Sequence, residues 1–440
     1  MLGYILLLLA NFAIRIPYFK MPVHGDAGYF VSPRCTEKRM LSLAGGWYSG
    51  VGAASKLLPS FFYQVCYIIS PRNYKYISRI AFSLLVWLAS IYVGKSAYIL
   101  FGANSYAASM IFILYMGNKT WRSYVESGDQ FNAIFASAII YSLASGYQIL
   151  AIFLMSIDIW FCKQSAIFLY VPLGIYLCFQ HPYLIPWFLI IFLSVLIYWI
   201  NWTFICGFKS PVDALVLLVQ QQKFHKGSNS WLKQYRLKMM ILSKQLLFSA
   251  PLVLLSIYGL SQLKVNLLPL LLFLGMLLAY LFQTNVCSYF ALPMIVPLTL
   301  LAAISPIEAQ IVGMVVWMIF CVFVEITSFS TIELFAHTNK ALLIERLFKR
   351  FPIPPGKVMG VVGNDTQVYL LSPGAVCPSP EWITYSWLWG RMTGNESIPE
   401  KYDYYYISSY GDLPPVSKDY KVLAKHQSQR GGIMLAQKIQ

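Results

Sequence analysis

The apolar run 2–18, followed by the loop opening His24-Gly25-Asp26-Ala27-Gly28-Tyr29-Phe30, decides how this chain is read. Where a first apolar helix meets its first large loop, an ionisable group costs several kcal/mol unless water, a partner or a ligand stabilises it. The glycines on either side of Asp26 let backbone turn sharply or approach a ligand closely. Tyr29 and Phe30 are the aromatic residues expected at a membrane interface. Two readings of Asp26 follow: an interfacial carboxylate capping a short helix, or a catalytic carboxylate at the membrane surface. The opening run lacks a basic leader and a small-residue cleavage site, so it reads as a retained helix.

Working outward, apolar runs recur to about residue 329. Of the 440 residues, 58% are hydrophobic and 11% charged, against about 25% charged in soluble domains. The chain reads as an all-α polytopic membrane bundle, each run approaching the ~20 residues needed to span. Spans are expected at 2–18, 77–93, 106–116, 131–145, 147–162, 165–179, 184–206, 245–260, 265–282, 290–304 and 311–329, roughly eleven crossings. Residues 57–70 are apolar but short, either a span or an interfacial helix. The interruption 207–243 carries an expected amphipathic helix at 212–219 and a basic stretch at 223–238. The domain reading is a transmembrane domain over 1–330 and a small soluble α/β domain over 331–440. Within the latter, 342–351 reads as a helix and 358–362, 367–371, 402–408 and 420–424 as strands.

The net charge of +16 is spread over loops between apolar runs. That disfavours nucleic acid and favours anionic lipid or a phosphate-bearing substrate. The eight cysteines show no CxxC pair or zinc spacing, so they read as packing residues and no metal or cofactor is expected. No nucleotide-binding glycine motif occurs, and no internal repeat of clear period supports an inverted-repeat transporter.

Three boundaries combine charge with apolar sequence. Asp26 is the first. The second holds Glu126 and Asp129 in Tyr124-Val125-Glu126-Ser127-Gly128-Asp129-Gln130, where a helix N-cap is the plain alternative to an active-site acid. The third is Ser55-Lys56-Leu57-Leu58-Pro59, where a snorkelling lysine is the alternative to a phosphate ligand. If 57–70 lies along the interface, Asp26, Lys56, Glu126, Asp129 and the tail share one face. The positive-inside rule opposes this topology, because the loops assigned outside carry most of the lysines and arginines. An anionic substrate, however, needs cations on the reaction side.

These motifs, in this order, resemble the GT-C superfamily of polytopic glycosyltransferases. Its bacterial branch of lipid A aminoarabinose transferases and protein O-mannosyltransferase relatives is the nearest likeness. The resemblance rests on Asp26 in the first loop, Lys56 before Pro59, Arg79 opening the next span and Glu126 or Asp129 before a later one. Its last element is the run Ser288-Tyr289-Phe290-Ala291-Leu292-Pro293-Met294-Ile295-Val296-Pro297, and an extracytoplasmic tail also fits. The chain departs from the pattern where Ala27 and Gly28 replace a second acid, and where Ser55 stands in place of an acid before the lysine.

The resemblance implies sugar transfer from a polyprenyl-phosphate donor to a lipid, glycan or protein acceptor, with inversion. It places the reaction on the extracytoplasmic face of a bacterial inner membrane, as a cell-envelope activity. It casts Asp26 as general base, with Glu126 or Asp129 as a second acid. Lys56, Arg79 and Lys163 would bind the departing phosphate, with Tyr289 and His225 as further contacts. A flippase of lipid-linked saccharides is the competing reading; it expects polar residues within spans, and Asp158 and Glu325 are the main ones. A non-catalytic assembly subunit is a third.

Overall fold

The computed structural model describes residues 2–20, 57–117, 129–205, 210–212, 231–262, 267–282, 292–326, 332–362, 368–372, 402–409, 413, 415–428 and 431–439. The chain divides into two compact units: Met1–Lys20, Arg79–Asn201 and Leu215–Thr331 form one; Met21–Ser78, Trp202–Ala214 and Ile332–Gln440 form the other.

The helices of the apolar part follow in chain order. They are α1 (Leu2–Ile14), α2 (Ile16–Lys20), α3 (Leu57–Ile69), α4 (Tyr74–Phe101) and α5 (Ser105–Gly117). Then come α6 (Asp129–Ala144), α7 (Gln148–Ile157), a π-helical turn (Asp158–Cys162), α8 (Ala166–Gln180) and α9 (Leu184–Ile205). After a long interruption follow α10 (Trp231–Phe248), α11 (Ala250–Ser261), α12 (Leu268–Phe282), α13 (Ile295–Ala303) and α14 (Ile307–Ile326). Among the described residues, α4 and the Leu184–Phe204 part of α9 are long and apolar enough to cross a membrane, and most of the others are shorter apolar helices. Together with a small mixed sheet, this is the architecture of a helical membrane protein.

Helix pairs approach closely where a side chain is missing. α8 packs against α12 and α11 against α13. A Cβ on Gly275 would clash with the carbonyl oxygen of Leu169, and one on Gly259 with that of Leu301. Small residues at such crossings allow the backbone contact on which membrane helices depend for packing energy.

In the other unit, α15 (Ile332–Arg350) precedes β1 (Met359–Val362), the single turn α16 (Val368–Leu371), β2 (Tyr404–Ser409), β3 (Tyr420–Ser428) and β4 (Gly431–Lys438). The sheet order is β1-β2-β4-β3, with β1 parallel to β2 and the other pairs antiparallel. Alternation along β2 sends Tyr404 and Tyr406 into one core with Ile344 and Phe348 of α15. Tyr405 and Ile407 go to the opposite face, beside Tyr402, Tyr420 and Met434. Burial on both faces explains why Tyr404-Tyr405-Tyr406-Ile407 reads as a continuous apolar run rather than alternating with polar residues.

Several sequence expectations shift. Within 367–371, where a strand was expected, Val368–Leu371 form a helical turn; it brings Val368 and Leu371 onto the core beside Ile344, and that packing overrides β-propensity. The strand β4, central to the sheet, escaped the sequence reading because it opens on Gly431-Gly432 and carries one β-branched residue. The expected span 77–93 is the middle of α4, a 28-residue helix. The expected span 245–260 is interrupted at Ser249, where α10 and α11 meet at 94°. Pro251 in the first turn of α11 explains the break: its ring and missing N–H cannot continue the preceding helix. The expected helix 212–219 lies almost wholly outside the described residues.

Candidate functional site

Two clusters of buried polar side chains occupy the larger apolar unit. The first forms where α1 and α2 meet α4. Asn11 donates from Nδ2 to the Ser83 carbonyl oxygen at 2.8 Å, and Arg15 donates from Nε to Ser83 Oγ at 3.1 Å. Trp87 Nε1 reaches the Tyr4 carbonyl at 3.0 Å, extending the seam along α1. Arg79 donates from one terminal nitrogen to the carbonyl oxygens of Tyr18 at 2.8 Å and Phe19 at 3.3 Å. Both guanidinium groups lie over the Tyr18 ring, Arg15 Cζ 4.4 Å and Arg79 Cζ 5.2 Å from its centroid. Both arginines are fully buried. The last carbonyls of a helix lack intrahelical partners, and a cation there also meets the negative end of the helix dipole. Arg79 therefore anchors the end of the α1–α2 segment, after which the chain runs on to Asp26.

The second cluster centres on Asp158, which opens the π-helical turn and is 0% exposed. It accepts a hydrogen bond from Asn132 Nδ2 of α6 at 2.9 Å and one from the Tyr170 hydroxyl of α8 at 2.5 Å. The Lys163 N–H donates to the Asp158 carbonyl at 2.9 Å, the i to i+5 bond that defines the turn. One carboxylate thus ties three chain segments together, and π-turns of this kind are frequent at functional sites. Tyr170 also lines an apolar cavity of about 490 Å³ between the π-turn, α8 and α9, with Ile159, Gly174, Phe188 and Phe192 among its walls. Such a space suits hydrocarbon rather than a sugar ring.

Of the residues singled out from sequence, Asp26, Lys56, Glu126, His225 and Tyr289 lie outside the described residues. Asp129 is the first residue of α6, the position that an N-terminal acid would take. Lys163 is partly exposed and directly follows the π-turn. Arg79 is engaged with the end of α2. The sequence reading missed Arg15, Asn132 and Tyr170. Arg15 had a visible signal, a lone cation inside the first apolar run. Asn132 and Tyr170 had none, because only the packing of three helices brings them to Asp158. Among the described residues, no group of three His, Cys, Asp or Glu side chains could hold a metal ion.

The fold of the whole chain is like that of a solved structure. The crystal structure of ArnT from Cupriavidus metallidurans bound to undecaprenyl phosphate superposes with a TM-score of 0.60 at 11% sequence identity. The match covers 98% of this chain and 97% of that one. No protein-family model matches the chain, and no curated protein does.

Proposed function

We propose that this chain is an integral-membrane glycosyltransferase of the bacterial inner membrane. It transfers a sugar from a polyprenyl-phosphate donor to a lipid, glycan or protein acceptor on the extracytoplasmic face. The observation that carries this reading is the end-to-end fold likeness to a protein crystallised with undecaprenyl phosphate. The order of charged residues around the helices supports it. In this reading the bundle crosses the membrane about eleven times, and residues 331–440 form an extracytoplasmic domain.

The chemistry follows from the residue types. An acceptor hydroxyl or amine attacks the anomeric carbon, the carbon–oxygen bond to the phosphate breaks, and the configuration inverts. The acceptor proton passes to Asp26 as general base, a role worth ~10²–10⁴-fold in rate. Polyprenyl phosphate leaves with increased negative charge, so positioned cations do most of the remaining work. Lys56 is the first phosphate ligand, with Arg79 and Lys163 behind it. Glu126 or Asp129 supplies the second acid, and Tyr289 and His225 contact the donor. The Arg79 bonds to Tyr18 and Phe19 give that arginine a positioning part as well, because they fix the helix end that leads to Asp26.

A purified protein in nanodiscs, given undecaprenyl phosphate and a panel of polyprenyl-phosphate sugars, tests this reading. Saturable binding of the lipid phosphate and donor turnover that falls at least a hundredfold in Asp26→Asn support it. Unchanged turnover in that variant removes Asp26 as base. Buried Asp158, with Asn132 and Tyr170 within the bundle, favours a second reading, a flippase of lipid-linked saccharides. Net flipping in proteoliposomes without sugar transfer would establish it.

A further inference from the structure

Helix α10 has its polarity inside out. Its buried stripe is Gln234, Lys238, Leu242 and Gln245, three of them polar. The opposite arc exposes Leu232, Leu237, Met240 and Leu247, with Leu247 66% exposed. Interleaved with these, and also exposed, are Lys233, Arg236 and Lys244. The helix has four cations and no acid.

Neither water nor hydrocarbon suits that outer arc. Four large apolar side chains in water make an adhesive patch, and three cations in an acyl core are costly. The interface between headgroups and acyl chains satisfies both, because lysine and arginine stems lie along apolar surface while their heads reach the phosphates.

The packing of α10 puts it at that depth. It meets the apolar helix α11 at 94°. Lys238 donates from Nζ to the Leu281 carbonyl at 2.8 Å, and the Tyr280 hydroxyl donates to the Lys238 carbonyl at 2.9 Å. This reciprocal pair ties the middle of α10 to the last turn of apolar α12. The inner polar stripe is thereby used to hold α10 across the ends of helices that the bilayer surrounds.

We propose that α10 is an interfacial helix whose outer arc binds anionic lipid headgroups, such as those of phosphatidylglycerol. The charge argument chooses the occupant: three exposed cations and no acid complement an anionic leaflet and gain nothing from a zwitterionic one. The contact is independent of any transfer reaction.

Spin-labelled phosphatidylglycerol and phosphatidylcholine, each added to the full-length protein in proteoliposomes, report relative affinity through the motionally restricted fraction. Wild type is expected to prefer phosphatidylglycerol about threefold, an electrostatic preference that salt weakens. In the triple variant Lys233→Gln, Arg236→Gln, Lys244→Gln the preference should fall towards one. Equal affinities in wild type, or an undiminished preference in the triple variant, would overturn the proposal. If the triple variant does not fold, exposed Arg236→Gln alone gives the same readout on a smaller scale. A measurable drop there supports the contact and no drop refutes it.

Discussion

The two buried clusters handle charge in opposite ways. At the seam of α1 with α4, Arg15 and Arg79 lie against an aromatic face and are held by a serine hydroxyl and by backbone carbonyls. At the π-turn, Asp158 is held by side-chain donors from two other segments. The first arrangement fixes a helix end, so its effect travels along the chain towards Asp26. The second fixes the mutual position of α6, the π-turn and α8, so its effect is on packing. Buried charge therefore marks two different jobs in one unit: one at the end of the α1–α2 segment, one at the junction of α6, the π-turn and α8.

The sharpest way to break that distinction is at Asp158. Replacing it by Ala strands the Tyr170 hydroxyl and the Asn132 amide, both buried, and should destabilise the protein by about 2–4 kcal/mol. Asp158→Asn keeps the shape but can satisfy only one of the two donors well, so its loss should be about half as large. Denaturant titration in detergent reads both. If Asp158→Ala left stability intact while abolishing donor turnover, the scaffold role would be wrong.

Gly275 sharpens the comparison from the side of α12. Because its Cβ would meet the Leu169 carbonyl, Gly275→Ala must push α8 away, and Leu169 neighbours Tyr170. A loss of about 1–3 kcal/mol is expected, and it should shrink in the Asp158→Ala background, because the two sites share a partner. Strict additivity in a double-mutant cycle would show that α8 moves without disturbing the carboxylate.

At the other cluster the expected stability effects are smaller and the functional ones larger. Arg15→Lys keeps the charge but loses the planar stacking on Tyr18 and the Nε bond to Ser83, a loss of about 1 kcal/mol. Arg79→Lys cannot reproduce the paired carbonyl contacts, and donor turnover should fall more than stability does. Parallel melting curves and turnover assays check this; equal losses in both would reduce Arg79 to a packing role.

The smallest effect lies in the sheet. Asp403 accepts from the Val358 N–H at 2.9 Å and lies 3.4 Å from Lys357 Nζ. Chiefly the Val358 bond holds its carboxyl below the usual carboxylate range. A depressed pKa adds stability that is complete above the unfolded value of ~3.9 and lost as pH falls through the folded one. Protection of the β1 and β2 amides, taken relative to their intrinsic exchange rate at each pH, should therefore fall below about pH 4. The fall should be weaker in Asp403→Asn, and an identical pH profile would remove the effect.

Much of this was legible in the sequence. Long apolar runs gave the helical bundle because hydrocarbon tolerates no unpaired backbone. Local signals failed where partners are distant. No spacing announces that Asn132, Asp158 and Tyr170 meet, and β4 is recruited by β2 and β3 rather than by its own propensity. Proline carried more information than it was given: Pro251 splits what reads as one span. For the candidate site, Asp129 is the first residue of α6, while Arg79, read as opening a span, lies one turn inside α4 and is spent on the carbonyls of Tyr18 and Phe19.

The most direct test asks whether the charged loops share a side of the membrane. Single cysteines placed beside Asp26, Lys56 and Glu126 and in the 331–440 tail of an otherwise cysteine-free protein are labelled with an impermeant thiol reagent from each face. Labelling of all four from the extracytoplasmic side is the predicted result, and it allows Asp26, Lys56 and Glu126 to form one site. Labelling of Asp26 and Glu126 from opposite sides would contradict it: no shared site could form, and the flippase reading would replace the transferase.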